Sequence, residues 1–328
     1  MIRVGIIGWG AYLPPKVLTN HDFVSMGLDT SDDWIFSRTG ISERRVAEKG
    51  VATSDLAYEA AVSAIKSSGK TVSDIDAIIV ATSTPDYTAF PSTACVLQKK
   101  LGLSSGFCFD IAAACTGFNY AFTTGVQYIQ NKFCKTILVV AADCLSRLLN
   151  WEDRGTCVLF GDGAGAVVLS EVSEGYGILA SSLHSNGEYA DLLKVPSGGS
   201  LNPMTLDALN LKENTIVMDG KSVFKLAVHV LVESVQDTLV KAHLSTRDIN
   251  YFIPHQANSR IIEYACEKLN LPAERSLLTL NKYGNTSAAS IPITLSENAH
   301  RFKKGDIIVF SGFGSGFTWG TSVIRWEI

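Results

Sequence analysis

Short, continuously apolar runs recur along the chain. Ala77–Ala81, 137–141 and 307–310 lack the alternation of half-exposed strands. That pattern predicts strands covered on both faces. Residues 1–10 read as a buried first strand that runs into Leu13-Pro14-Pro15, without the cleavage site of a signal peptide. Between these runs, 56–67, 92–101, 222–242 and 260–269 carry helical periodicity. Strands alternating with helices predict an α/β fold. The longest uncharged run, 111–131, could cross a bilayer by length alone. It contains Thr116, Asn119, Thr123, Thr124, Gln127 and Gln130, so it reads as a strand end followed by a helix buried in protein.

The pattern also repeats. Residues 73–78 (Ser-Asp-Ile-Asp-Ala-Ile) match 247–252 (Arg-Asp-Ile-Asn-Tyr-Phe). Residues 98–102 match 266–270, and 133–140 match 302–309. Each half then closes in a Gly-rich turn and a strand, at 160–169 and 313–324. Matches in one order at a nearly constant offset point to two similar α/β halves, 1–172 and 173–328.

Composition sharpens this. Of 328 residues, 46% are hydrophobic and 18% charged, enough apolar residues for a large core and too many for a disordered chain. The net charge of −4 excludes the global basic field of a general nucleic-acid binder but leaves room for a local patch. Seven cysteines, at 95, 108, 115, 134, 144, 157 and 266, form no C-x-x-C pair. Most have apolar neighbours, as in a reducing, cytoplasmic compartment, and no zinc-site spacing is present. Six of them read as inert core residues.

Three segments could carry chemistry. Cys115 follows the strand-like 107–110 in a small-residue loop at the start of the uncharged helix, where unpaired N–H groups and the helix dipole should lower a thiol pKa. His255, in Pro-His-Gln-Ala-Asn, sits at a strand end opening into a polar loop, whereas His184, His229 and His243 read as structural or surface residues. Asn285 lies in a segment built like that of Cys115, as strand, loop and helix. In the repeat it falls within a residue of the Cys115 equivalent. Asn there is also ordinary helix capping. Cys, His and Asn in this order fit a papain-like cysteine hydrolase, whose Cys-Gly-Ser-Cys-Trp-like signature is absent. They equally fit an enzyme that forms carbon–carbon bonds from an acyl group held on Cys. Gly8-Trp-Gly10 lacks the third small residue of a dinucleotide fingerprint, and Gly161–Gly165 lacks the Lys of a phosphate loop. The latter reads as a site of close backbone packing. Gly312–Gly316 could offer an N–H to an oxyanion.

Taken together, Asp-Ile-Ala-Ala-Ala-Cys115-Thr-Gly-Phe, Pro-His255-Gln-Ala-Asn, Gly-Asn285-Thr-Ser-Ala-Ala-Ser and Gly-Phe-Thr-Trp319-Gly resemble the β-ketoacyl-[acyl-carrier-protein] synthase III family. Thr30-Ser-Asp-Asp-Trp34-Ile, Arg38-Thr-Gly-Ile-Ser-Glu-Arg and Asp153-Arg154-Gly-Thr extend the likeness over nearly the whole chain. The resemblance implies a thiolase-like fold with pseudo-twofold halves in five layers, α-β-α-β-α. It implies the initiating condensation of fatty acid synthesis, with no metal and no redox cofactor. Cys115 would take a short acyl group, usually acetyl, from acyl-CoA. The backbone N–H groups of Cys115 and Ser315 would form the oxyanion hole. His255 and Asn285 would bind the thioester carbonyl of malonyl-acyl-carrier protein. By the same carry-over, Trp34 would stack on adenine with Arg154 on its other face, Arg38 would meet a CoA phosphate, and Asn258 the pantetheine arm. Phe90 would close the partner's acyl pocket in a homodimer. Lys225, Arg260 and Lys268 would receive the acidic carrier protein. The chain departs from the family at Ser315, where Gly is frequent, and at Glu267, a position often basic. The resemblance leaves open a relative in secondary metabolism with a different acceptor and a noncatalytic carrier-binding subunit.

Overall fold

The computed structural model describes residues 2–328; Met1, part of the expected first strand, lies outside them. In chain order the principal elements of the first half are β1 (Val4–Tyr12), α1 (Asp32–Thr39), α2 (Thr53–Ser67), β2 (Ala77–Ala81), α3 (Thr93–Leu101), β3 (Phe107–Ile111), α4 (Gly117–Gln130), β4 (Ile137–Asp143) and β5 (Gly163–Glu171). Those of the second are β6 (Gly177–Ser185), α5 (Gly220–Lys241), β7 (Tyr251–Pro254), α6 (Ser259–Leu269), α7 (Ser290–Asn298), β8 (Ile307–Gly314) and β9 (Thr318–Arg325). The apolar runs are the central strands: every residue of β2 and β4 is buried.

The first sheet has the order β1-β5-β4-β2-β3 and the second β6-β9-β8-β7. Directions match as well. β2 and β4 are parallel, as are β7 and β8, while β5 and β9 run antiparallel to both neighbours. Helices α2 and α3 cover the outer face of the first sheet, and α5 and α6 that of the second. Between the sheets lie α4 and α7, each touching strands of both. This is the five-layered arrangement the resemblance implies. The 111–131 run is a strand end and the buried α4, as its polar residues indicate; among the described residues no helix is long and apolar enough to cross a membrane.

Two sequence expectations fail in the second half. The segment before Asn285 is a short helix, Leu280–Tyr283, and the place of β3 is taken by a single bridge between Phe252 and Ser276. The register also shifts. Turns Ala114–Thr116 and Ser287–Ala289 each open with a residue at positive φ (45° and 53°) and lead into a central helix. Cys115 therefore corresponds to Ala288, and Asn285 to Ala112. The extra residues between the bridge and the turn displace the match beyond the one residue read from sequence.

The Gly161–Gly165 segment packs backbone on backbone, as expected. A Cβ at Gly165 would lie 2.7 Å from the Ile293 nitrogen at the start of α7. Neither β5 nor α7 can retreat, since each has a sheet or helix behind it. Gly165→Ala should therefore lower unfolding free energy by about 1–3 kcal/mol. Urea denaturation checks this, and an unchanged midpoint would contradict the packing argument.

Candidate active site

Cys115 sits in the tight turn ahead of α4 and is 7% exposed. The strand end at Gly314 approaches so closely that a Cβ there would lie 2.6 Å from the Cys115 nitrogen. Only glycine fits at that crossing. Contrary to the expectation from the helix dipole, the thiol pKa is not lowered. Burial pushes it up to about 12, and Asp143 adds to the rise, while the Ser287 hydroxyl and the Cys115 N–H oppose it. Desolvation of the thiolate outweighs the donors around it.

His255 follows β7 and is 1% exposed. Its N–H donates to the Ser311 carbonyl at 2.8 Å, extending the parallel pairing with β8. Nδ1 lies 2.8 Å from the Ser290 hydroxyl, and that oxygen accepts the Gln256 N–H at 3.2 Å. Because Gln256 can only donate, the Ser290 hydroxyl hydrogen is free to point at Nδ1. Nε2 then carries the ring proton and faces the cavity. Phe313 packs edge-on against the ring at 5.4 Å. Burial holds the imidazole pKa down to about 3, so the ring is neutral at physiological pH.

Asn285 is gripped by the backbone. Its N–H donates to Leu159 O at 2.8 Å, and its carbonyl accepts from Gly161 N at 3.0 Å. Oδ1 accepts from Ser287 N at 2.8 Å, a capping bond that turns the side chain and leaves Nδ2 for the cavity. Behind this grip lies Arg44, fully buried, which donates to the carbonyls of Leu18 and Val158 and to Asn20 Oδ1.

Cys115, His255 and Asn285 line one cavity of about 90 Å³, together with Met218, Phe224, Asn258 and Phe317. A second cavity of about 200 Å³ also reaches Cys115, lined by Leu145, Leu148, Val195, Ile216, Ser287 and Ser315. The thiol thus stands where two cavities join. The chain between β6 and α5 bears on both, since Val195 and Ile216 are in the wall of the second cavity and Met218 in that of the first. Ser315 is not at positive φ; the adjacent Gly316 is, at 135°, so Ser is accommodated where relatives often have Gly.

The remaining expected residues lie farther out. The guanidinium groups of Arg38 and Arg154 lie 4.5 and 4.9 Å from the centre of the Trp34 ring, and Arg154 is also paired with Asp29. Asn258 lines the first cavity but uses both polar ends internally, donating to Arg38 O and accepting from Arg260 N, each at 2.9 Å. It thereby ties α1 to the cavity rim. Arg260 lies over Phe224 at the mouth, whereas Lys225 and Lys268 border a separate groove of about 900 Å³ between α5 and α6. Phe90 is 85% exposed and reaches neither cavity of its own chain. Not all the other cysteines are core: Cys95 is exposed and Cys108 half-buried, their sulfurs 3.4 Å apart between α3 and the edge strand β3. Among the described residues no cluster of His, Cys, Asp or Glu could hold a metal ion.

A family model described as 3-oxoacyl-[acyl-carrier-protein] synthase III matches residues 109–187, and one described as its C-terminal part matches 239–326. The β-ketoacyl-[acyl-carrier-protein] synthase III of Desulfitobacterium hafniense is 48% identical, covering 100% of this chain and 99% of its own. The chain belongs to the synthase III family. The namesake from Caldanaerobacter subterraneus is 47% identical over 99% of this chain and 98% of its own. The crystal structure of the Aquifex aeolicus synthase III superposes with a TM-score of 0.90 at 42% identity, covering 98% of this chain and all of that one. The fold is the thiolase fold, and the enzyme is an acyltransferase of the condensing type, not a hydrolase.

Sequence reasoning about this synthase missed Ser290, Gln256 and Arg44, which support the segments carrying His255 and Asn285 and are not among the residues lining the cavity. All three stood inside recognised motifs, Gly-Asn-Thr-Ser-Ala-Ala-Ser290, Pro-His-Gln256 and Arg38-Thr-Gly-Ile-Ser-Glu-Arg44, but a support role is visible only once the partners are placed. The His255 environment has a measurable consequence. With a folded pKa near 3 against 6.5 unfolded, the unfolded chain binds the proton first. The stability of the neutral ring is present above pH 6.5 and is lost as pH falls from 6.5 toward 3, at about 1.4 kcal/mol per unit. His255→Gln should flatten the stability profile by that slope between pH 6 and 4. Denaturant titrations at several pH values check it, and parallel profiles for the two proteins would refute it.

Proposed function

We propose that the enzyme works in two stages on Cys115. In the first, the thiolate attacks a short acyl-CoA, acetyl-CoA above all, while the N–H groups of Cys115 and Ser315 bind the tetrahedral oxyanion. CoA leaves. In the second, malonyl-acyl-carrier protein enters, and His255 Nε2–H and Asn285 Nδ2–H donate to its thioester carbonyl. Negative charge grows on that oxygen as CO₂ departs, so fixed donors favour the transition state over the ground state. The carbanion attacks the acyl-Cys115 carbonyl and yields 3-oxoacyl-carrier protein. No cofactor takes part.

The observation that carries this reading is the convergence of a thiol and two uncommitted neutral donors on one cavity. The neutral imidazole fits a hydrogen-bond donor to an enolate-like oxygen and does not fit a general base. The second cavity supplies room for the acyl group, and the first, lined by Asn258, which is hydrogen-bonded to Arg38 O, for the pantetheine arm, with the nucleotide at Trp34, Arg38 and Arg154. The present stacking of Arg154 near Trp34 implies that adenine slides between them. Arg260, Lys225 and Lys268 form the basic rim for the carrier protein, Arg260 nearest the mouth.

Homodimerisation belongs to the same reading. Phe90 and Tyr87 project from one loop, 85% and 55% exposed, beside the edge strand β3, whose outer side has no partner among the described residues. A second copy there would bring Phe90 of the partner subunit to the acyl cavity. The halves 1–172 and 173–328 then divide the work, nucleophile from one and donors from the other, and the unpaired thiols fit a cytoplasmic enzyme.

Labelled acetyl-CoA should leave acetyl on Cys115, and addition of malonyl-acyl-carrier protein should discharge it into acetoacetyl-carrier protein. Label released only to water would overturn the reading. Asn285→Ala should spare acetyl transfer within severalfold and slow condensation about 100-fold. Equal loss in both stages, measured by rapid quench, would remove Asn285 from the second.

A further inference from the structure

Resting on the assignment of Cys115 as nucleophile, the next question is where its proton goes. The Cys115 N–H beside the thiol is a donor and cannot take a proton. His255 is committed to Ser290 through Nδ1, and its neutral ring is a poor base. A different group stands behind the thiol. Asp143, the last residue of β4, is fully buried. Its Oδ1 accepts from the Thr82 hydroxyl at 3.0 Å, Ser83 N at 2.7 Å, and Thr84 N and hydroxyl at 3.1 Å each. Its Oδ2 is equally buried and, among the described residues, has no hydrogen-bond partner. One oxygen thus does all the structural holding, and the other is left open.

The turn that opens with Ser287 packs against β4, the strand that ends in Asp143. The Ser287 hydroxyl lies beside both the Asp143 carboxylate and the Cys115 thiol, in a turn that packs against both β4 and the Ala114–Thr116 turn. It closes a short hydrogen bond to neither. Ser287 is also held at φ 53°, a conformation costly to a residue with a Cβ. The structure assigns Asp143, acting through the Ser287 hydroxyl, as the acceptor of the Cys115 thiol proton during acyl loading. As Sγ bonds to the acyl carbon, the S–H bond breaks. Ser287 Oγ takes that hydrogen and passes its own to Asp143 Oδ2. The C–S bond to CoA breaks, and the CoA thiolate takes a proton from water as it leaves. The acyl-enzyme then stores one proton on Asp143. In the second stage the new C–C bond forms, the bond to Cys115 breaks, and the departing thiolate recovers that proton by the reverse path.

The titration of these groups agrees. Burial raises the Asp143 carboxyl pKa to about 6, far above an exposed carboxylate. The titratable groups that sense Asp143 are the thiols Cys115 and Cys144; Asp162 and Arg147 act on Cys144 beyond it. Neutralising Asp143 removes the charge that opposes a thiolate at Cys115.

Asp143→Asn keeps the Oδ1 acceptor for Thr82, Ser83 and Thr84 and removes the base. The experiment is rapid-quench acetylation of Cys115 by acetyl-CoA from pH 5 to 9. Wild type should show a rate that rises through about pH 6 as the carboxylate forms. Asp143→Asn and Ser287→Ala should each acetylate about 100-fold more slowly, with that inflection gone. Ser287→Ala keeps a Cβ at the same φ and decides the matter alone if Asp143→Asn does not fold. Rates within threefold of wild type with the inflection retained would overturn the assignment while leaving Cys115 as nucleophile. Wild type that takes no label on Cys115 would instead overturn the reading beneath it, and the relay with it.

Discussion

The architecture of the site depends on two leading turns that meet between two sheets. Ala114 and Ser287 both sit at positive φ, and each costs of the order of 1–3 kcal/mol in a residue with a Cβ. They persist because everything around them is fixed. α4 and α7 are pressed between sheets, Gly314 crosses the Cys115 N–H with no room for a side chain, and Gly161 lies against Tyr283 O where a Cβ would come within 2.4 Å. The first turn exposes the thiol to two cavities. The second, through the bond from Ser287 N to Asn285 Oδ1, aims Nδ2 at one of them. Arg44 extends the same constraint outward by holding Val158, whose neighbours Leu159 and Gly161 hold Asn285.

Burial has one cause and three consequences here. It raises the thiol, lowers the imidazole and raises the Asp143 carboxyl. In each case the neutral form is favoured. A site of neutral donors does little for a neutral thioester in its ground state and much for the oxyanion or enolate that follows, because the same low dielectric magnifies the interaction once charge appears. A charged imidazolium would bind malonyl carboxylate tightly and hinder loss of CO₂. The depressed His255 pKa therefore suits the proposed chemistry, and the Ser290 hydroxyl beside Nδ1 favours the tautomer it needs.

Much of this was legible in the sequence, for identifiable reasons. Strands covered on both faces leave continuous apolar runs, so β2 and β4 could be read directly, and the helices over the outer faces were found within a few residues. The motifs around Cys115, His255 and Asn285 stood out in the chain, and the three side chains line one cavity. What failed were quantities that depend on the surroundings. The thiol pKa was misjudged because a helix N-terminus is visible in sequence and desolvation is not. Cys95 looked buried because its neighbours in sequence are apolar, but it lies on the solvent side of α3 beside an unpartnered edge strand. The register of Asn285 was misplaced because a strand was assumed where the chain forms a short helix.

That misplaced register explains why a repeated fold holds one active site and not two. The position equivalent to Cys115 is Ala288, whose Cβ lies 3.3 Å from where a Cβ at Gly117 would stand. The leading turns of α4 and α7 approach so closely that both must be lined with small residues, and a second bulky or reactive side chain at 288 would have to displace the first turn. The second half therefore contributes from outside the crossing: Asn285, corresponding to Ala112, before the turn, and His255 from the end of β7. Close packing of the two turns forces that asymmetry, and the asymmetry leaves one thiol where two cavities join.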